Sequence, residues 1–256
     1  MITSGTEHHA VLHSFNVLQK SGWSVTTVEC DHYGRIHADV IEKAIRPDTA
    51  LISIIHANNE VGTINPVSEI GAIARQRGIL FHTDAVQSFG KIPIDVRAMS
   101  IDLLSTSAHK IYGPKGVGAL YVRQGVKLQP QIYGGSQERG QRAGTENIAG
   151  IVGFGKAAEL GGQNIESYMK RLRDLHGKLW QAIQKEIPIA VLNGHPDNRL
   201  PGHLNISFKG FMGDEILMLL DLGGIAVSTG SACTSGAVSS SHVLTAMKLD
   251  DAIRGG

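Results

Sequence analysis

The chain has 256 residues, 42% of them hydrophobic and 18% charged, with a formal net charge of +1. That is globular material for one large domain or one and a half, and it excludes a nucleic-acid or membrane surface held by charge alone. No apolar run reaches membrane-spanning length and Met1 is not followed by a basic-then-apolar signal; the two cysteines, Cys30 and Cys233, lie far apart in unlike contexts. We therefore expect no disulfide framework and a reducing, cytoplasmic setting.

Met1 to Ser4 reads as the end of a strand already running towards a site, and Val11, Leu12, Phe15 and Leu18 predict a helix over 10–20, stopped by Gly22. Trp23 to Glu29 alternates like a strand, and His37 to Ile45 reads as a short helix closed by Pro47. Thr49 to Ile55 is a continuous apolar run, the pattern of a strand buried on both faces. Asn65 as N-cap and Pro66 at the first helical position open a helix that ends before Gly78. Strands follow at 79–81, leading into His82-Thr83-Asp84, at 101–104 and at 116–122. Such alternation predicts an α/β protein with a mainly parallel sheet. From about Asn164 the texture changes to a long charged helix over 165–187, strands at 190–193 and 203–208, and a helix over 214–222. We expect a large domain over 1–162 and a smaller α+β domain over 163–256. The last residues, Asp251 to Gly256, leave no element to finish, so the ends read as those of a fragment.

In open parallel sheets ligands bind at the carboxyl ends of the strands. Three polar clusters fall there: Asn58-Asn59-Glu60, Asp84 with Gln87, and Ser107-Ala108-His109-Lys110. An amine held where a strand ends and crowded by polar partners becomes a nucleophile towards a carbonyl, so Lys110 is a candidate Schiff-base lysine; a solvated loop lysine is the bland alternative. An aldehyde cofactor there needs an acid against its ring nitrogen, and Asp84 fits, unless it merely caps. Gln87 could reach a phenolic oxygen, Ser107 and His109 a phosphate, and His8 or His9 could lie on the ring. Each of these has an ordinary structural reading as well. Ser228 to Gly236 is a run of small residues around Cys233, which has no apolar neighbours to bury it, so we read a reactive thiol on an exposed loop. Cys30 ends an apolar strand and reads as packing.

The segments Thr6-Glu7-His8-His9-Ala10, Asn58 to Gly62, His82 to Ser88, Ser107 to Gly116, Glu138 to Asn147 and Ser231 to Ser235 together resemble the cysteine desulfurases of the NifS/IscS type, in order along the whole chain. These are class V, fold-type I (aspartate-aminotransferase-like) pyridoxal phosphate enzymes. The resemblance implies that Lys110 carries pyridoxal 5'-phosphate as a Schiff base and acts as base at the substrate α-carbon. It implies Asp84 on the pyridine nitrogen, His8 stacked on the ring, Asn59 and Gln87 near the phenolic oxygen, and Ser107 and His109 on the phosphate. Thr145 would reach the phosphate of a neighbouring subunit in a homodimer. Cys233 would take sulfur from L-cysteine as a persulfide, leaving alanine, and pass it to an iron–sulfur scaffold or sulfur carrier, for cluster assembly or tRNA thiolation. Its persulfide is also the one implied contact with an iron–sulfur metal. The family's glycine/threonine phosphate loop precedes this chain's first residue, and its carboxylate-binding arginine lies beyond the last. Two alternatives are another fold-type I enzyme, such as an aminotransferase or selenocysteine lyase, and a non-catalytic remnant of a desulfurase.

Overall fold

The structure is a computed structural model that describes residues 1–229 and 241–255. A six-stranded sheet with order β2-β1-β3-β4-β5-β6 organises the first half. Its strands are β1 (Ile2–Ser4), β2 (Thr26–Val28), β3 (Leu51–Ser53), β4 (Leu80–Asp84), β5 (Leu103–Ser107) and β6 (Gly118–Val122). All neighbours pair parallel except β6, which runs antiparallel to β5. The helices between them are α1 (His9–Lys20), α2 (Ala38–Ala44) and α3 (Val67–Gln76). An apolar cluster that includes Ile2, Ile36, Ile41, Ile52, Ile54, Ile70, Phe81 and Ile101, each at most 1% exposed, holds α2 and α3 against the sheet. Burial of that many branched side chains is the main favourable contribution to folding.

The 39-residue helix α4 (Ile148–Glu186) leads to a two-stranded antiparallel sheet of β7 (Ala190–Leu192) and β8 (Ile206–Phe208), then α5 (Gly213–Leu222), α6 (His242–Ala246) and α7 (Asp251–Arg254). The helix expected over 165–187 begins 17 residues earlier, at Ile148, so residues 161–162 lie inside an unbroken helix. Glycines concealed its first half. The gap at Gly153 admits the ring of Pro114, which lies 2.6 Å from where a β-carbon would stand.

Two other local expectations are corrected. Asn65 does not cap α3; Pro66 occupies the cap position. The Asn65 amide is used across the fold, accepting from the Ile36 N–H at 2.8 Å and donating to the Ile55 carbonyl at 2.8 Å. The strand expected over 101–104 is displaced to Leu103–Ser107, so the hydroxyl run belongs to the ladder with β6. Asp102 sets that register: its carboxylate accepts from the Phe81 N–H at 2.9 Å and pairs with Arg123.

Gly71 marks the tightest approach in this half. A β-carbon there would lie 2.2 Å from the Met99 carbonyl oxygen. Gly71→Ala gains about 1 kcal/mol of helix propensity, yet overpacking against backbone costs about 1–3 kcal/mol or more. We expect a net loss, read as a lower urea midpoint with unchanged slope.

Candidate active site

Because β1, β3, β4 and β5 run parallel, their carboxyl ends open on one edge of the sheet. The segment after β1 carries Thr6, Glu7 and His8; that after β3 carries Asn58, Asn59 and Glu60; Asp84 ends β4; Ser107 ends β5. Lys110 follows in a short 3-10 helix, Ala108–Ile111, which stops at Tyr112 in a left-handed conformation with φ 64°. Lys110 is half-buried. Beside it Ser107 Oγ and the His109 imidazole Nδ1 share a hydrogen bond of 2.7 Å, which orders two polar groups on the same turn.

Asp84 is buried, and burial pushes its carboxyl above the usual carboxylate range. A hydrogen bond from the Val86 N–H at 2.9 Å and the nearby His8 imidazole partly offset this. His8 itself caps α1, its Nδ1 accepting from the Ala10 N–H at 3.2 Å. His9, the other expected ring contact, packs instead against His242, with ring centroids 4.3 Å apart. The site therefore holds a buried acid facing an imidazole, with no Lys or Arg ion-pair partner for that acid among the described residues. A ligand with a protonatable ring nitrogen would supply such a charge. Asn59 adds a buried amide oxygen that has no protein partner, a second unsatisfied group on the same edge. These two observations make the residues fit a pyridine-type cofactor.

Asn58 builds the loop that carries Asn59. Its Nδ2 donates to the Thr6 carbonyl at 2.8 Å, and its Oδ1 accepts from the N–H groups of Glu60 and Val61 at 2.8 and 2.9 Å. Glu60 then gathers distant segments. Its carbonyl accepts from Asn205 Nδ2 at 3.1 Å and lies 2.8 Å from His203 Nε2, while its carboxylate accepts from the Ser241 hydroxyl.

Three residues join the site that sequence reasoning left out. Glu7 is fully buried; its Oε1 accepts from Ser4 Oγ at 2.6 Å and from the Ile55 N–H at 2.9 Å, and its Oε2 has no partner. Burial pushes its carboxyl up to about 8, against hydrogen bonds that lower it, with Asp84 adding to the rise. His82 bridges Ser53 and Ser105 at 2.7 and 2.9 Å, which is how a histidine and two serines sit inside three neighbouring strands. Lys91 donates to Gln87 Oε1 at 3.2 Å. Spacing could have found it, since Lys91 stands four residues after Gln87.

Thr145 lies exposed in the irregular segment just before α4. Cys233 lies outside the described residues. Cys30 donates its thiol to the Ala246 carbonyl at 3.4 Å, and burial pushes its thiol up to about 11, as an inert packing cysteine requires. Among the described residues, no cluster of three His, Cys, Asp or Glu is placed to hold a metal, and no helix is long and apolar enough to cross a membrane.

The family model described as "Aminotransferase class-V" matches residues 1–254. Among curated proteins, a cysteine desulfurase IscS of Dictyoglomus turgidum is 51% identical over 97% of this chain and 63% of its own length. A cysteine desulfurase IscS of Methanosarcina thermophila is 52% identical over 96% of this chain and 61% of its own. Among solved structures, a NifS-like protein superposes with TM-score 0.91 at 39% identity, over 100% of this chain and 67% of that one. A second, described as SspA in complex with cysteine, gives TM-score 0.82 at 41% identity, over 99% of this chain and 70% of that one. The chain thus spans a little over three fifths of the length of the curated relatives it matches.

Proposed function

We propose that this chain, which belongs to the aminotransferase class-V family of fold-type I pyridoxal phosphate proteins, performs the chemistry of a cysteine desulfurase. It would take L-cysteine, release L-alanine and hold the sulfur as a persulfide. The observation that carries this reading is the buried Asp84 carboxyl, short of a counter-charge, on the same sheet edge as Lys110. Curated relatives of about half-identical sequence named cysteine desulfurase, and a related structure described as a cysteine complex, support the choice of substrate.

Bound pyridoxal phosphate supplies the electron sink that lets bonds at the amino acid's α- and β-carbons break. Asp84 keeps a proton on the ring nitrogen by presenting a carboxylate in a buried place, where the attraction is little screened. His8 would stack on the ring and fix its orientation. Asn59 and Gln87 would hold the phenolic oxygen, and Ser107 with His109 would bind the phosphate. Lys110 would hold the aldehyde, and its amine would take the proton from the substrate α-carbon. The Cys233 thiolate attacks the substrate sulfur: an S–S bond forms, the carbon–sulfur bond breaks, and the electron pair returns to carbon. Thr145 serves a neighbouring subunit's phosphate in a homodimer. The persulfide goes to a cytoplasmic scaffold or carrier protein, for iron–sulfur assembly or tRNA thiolation, with residues 1–162 acting as the cofactor domain and 163–256 as the smaller one.

Incubation with pyridoxal phosphate, borohydride reduction and peptide mapping tests this. We expect a yellow chain with the label on Lys110, no label in Lys110→Ala, and a label but no persulfide from L-cysteine in Cys233→Ser. Persulfide formation by Cys233→Ser at the parent rate overturns the mechanism. A second reading rests on the relatives' extra length: the chain holds cofactor and needs a complementing segment for turnover. A labelled parent that yields no alanine until that segment is added selects it.

A further inference from the structure

Lys91 has no part in the scheme above, yet its ammonium donates to Gln87 Oε1 across 3.2 Å. An ammonium has three donors and no acceptor. The edge of the Gln87 amide that meets it is therefore the oxygen, whichever way an amide is drawn. The NH2 of Gln87 is turned the other way.

The backbone holds this arrangement firmly. The N–H groups of Lys91 and Ile92 both donate to the Ser88 carbonyl, at 3.0 and 3.1 Å. Ile92 is locked in an apolar cluster with Ala57 and Leu200, so Lys91 starts from a fixed point. The Lys91 side chain is half-buried, and burial together with the nearby Lys110 charge holds its ammonium below the ordinary lysine range. Among the described residues no carboxylate adds to these two influences, and Lys91 in turn adds its positive charge, with that of Arg199, at His203.

We propose that Lys91 is a positioning residue that fixes Gln87 as a hydrogen-bond donor, so the ligand atom received there is an acceptor, a phenolate oxygen. The proposal rests on the cofactor reading above and adds the group that makes Gln87 single-minded. Without Lys91 the amide rotates freely and presents its oxygen to the phenolic edge as readily as its nitrogen. A buried acceptor facing an acceptor leaves both without a partner.

The test has two arms. In the cofactor-free chain, the Gln87 side-chain amide resonances are assigned by their disappearance in Gln87→Glu. We expect them displaced from the free-glutamine position in the parent, collapsed onto it in Lys91→Met, and displaced again in Lys91→Arg. In the pyridoxal phosphate-loaded chain, the yellow band at pH 7.5 should fall at least twofold in Lys91→Met relative to total bound cofactor. It should be restored in Lys91→Arg, which still donates, and should fall in Gln87→Glu, which keeps the Lys91 contact but has no NH2. A packing role for Lys91 predicts that Lys91→Met, which keeps the apolar stem, retains the band. Melting temperatures check that each variant is folded. Unchanged Gln87 resonances in Lys91→Met overturn the proposal. A parent that never colours counts against the cofactor reading, and the resonance arm still decides the role of Lys91.

Discussion

Raising the pH from 4.5 to beyond 8 is expected to destabilise the parent chain on the order of 5 kcal/mol more than it destabilises the Glu7→Gln variant. The cause is the Glu7 carboxyl, fully buried with one oxygen unpartnered and pushed from 4.5 up to about 8. The folded state keeps the proton where the unfolded state has released it. Stability is therefore complete below about pH 4.5, falls as the pH rises towards 8, and is level beyond it. His56 and His82 act with the opposite sign. Burial pulls both down to about 4, so each weakens the fold as the pH falls from 6.5 towards 4. They are common to parent and variant and cancel in the comparison. Urea unfolding at half-unit pH steps reads the difference directly. A parent and a Glu7→Gln curve that run parallel from pH 5 to 9 would show that Glu7 is ionised in the fold.

The second large effect concerns Asp84. Asp84→Asn keeps the shape and the Val86 contact but removes the charge. Because burial disfavours that charge in the free protein, we expect the variant to be at least as stable as the parent. Breaking a buried ion pair costs about 3–5 kcal/mol, so alanine formation by the loaded, turnover-competent protein should fall by about 10²–10⁴-fold. Gain in stability with loss of rate is the signature of a group kept for a ligand. A capping aspartate would give the reverse: lower stability and nearly unchanged rate, measured on the same preparations by melting and by amino-acid analysis.

Much of the fold was legible because its elements obey simple periods. The stretches at 51–55 and 79–81 are largely apolar because they run through the buried middle of the sheet, and α1 shows its apolar stripe. The site's strand-end clusters were legible for a related reason: the parallel topology sends them to one edge. What escaped were residues whose role depends on a partner far away in sequence. Asn65 looks like a helix cap by its local setting, yet its amide joins Ile36 to Ile55. Ser105 and Thr106 look like loop and lie in a strand, because His82 satisfies one hydroxyl and β6 supplies the ladder. Nothing in the segment around Glu7 marks it as buried. Only the fold shows that Ser4 and Ile55 enclose it.

Glu60 also has a meaning in time. Its bonds to His203, Asn205 and Ser241 close loops of 143, 145 and 181 residues. Closing loops of that length is entropically unfavourable until much of the chain is already organised. During synthesis the strands that end at Asp84 and Ser107 emerge and can pair long before Ser241 exists. The edge around Asn59 is then among the last parts of the molecule to settle, so a ribosome-bound chain has its sheet before it has its pocket. Cofactor capture is in that sense a report that the distal third has arrived and docked.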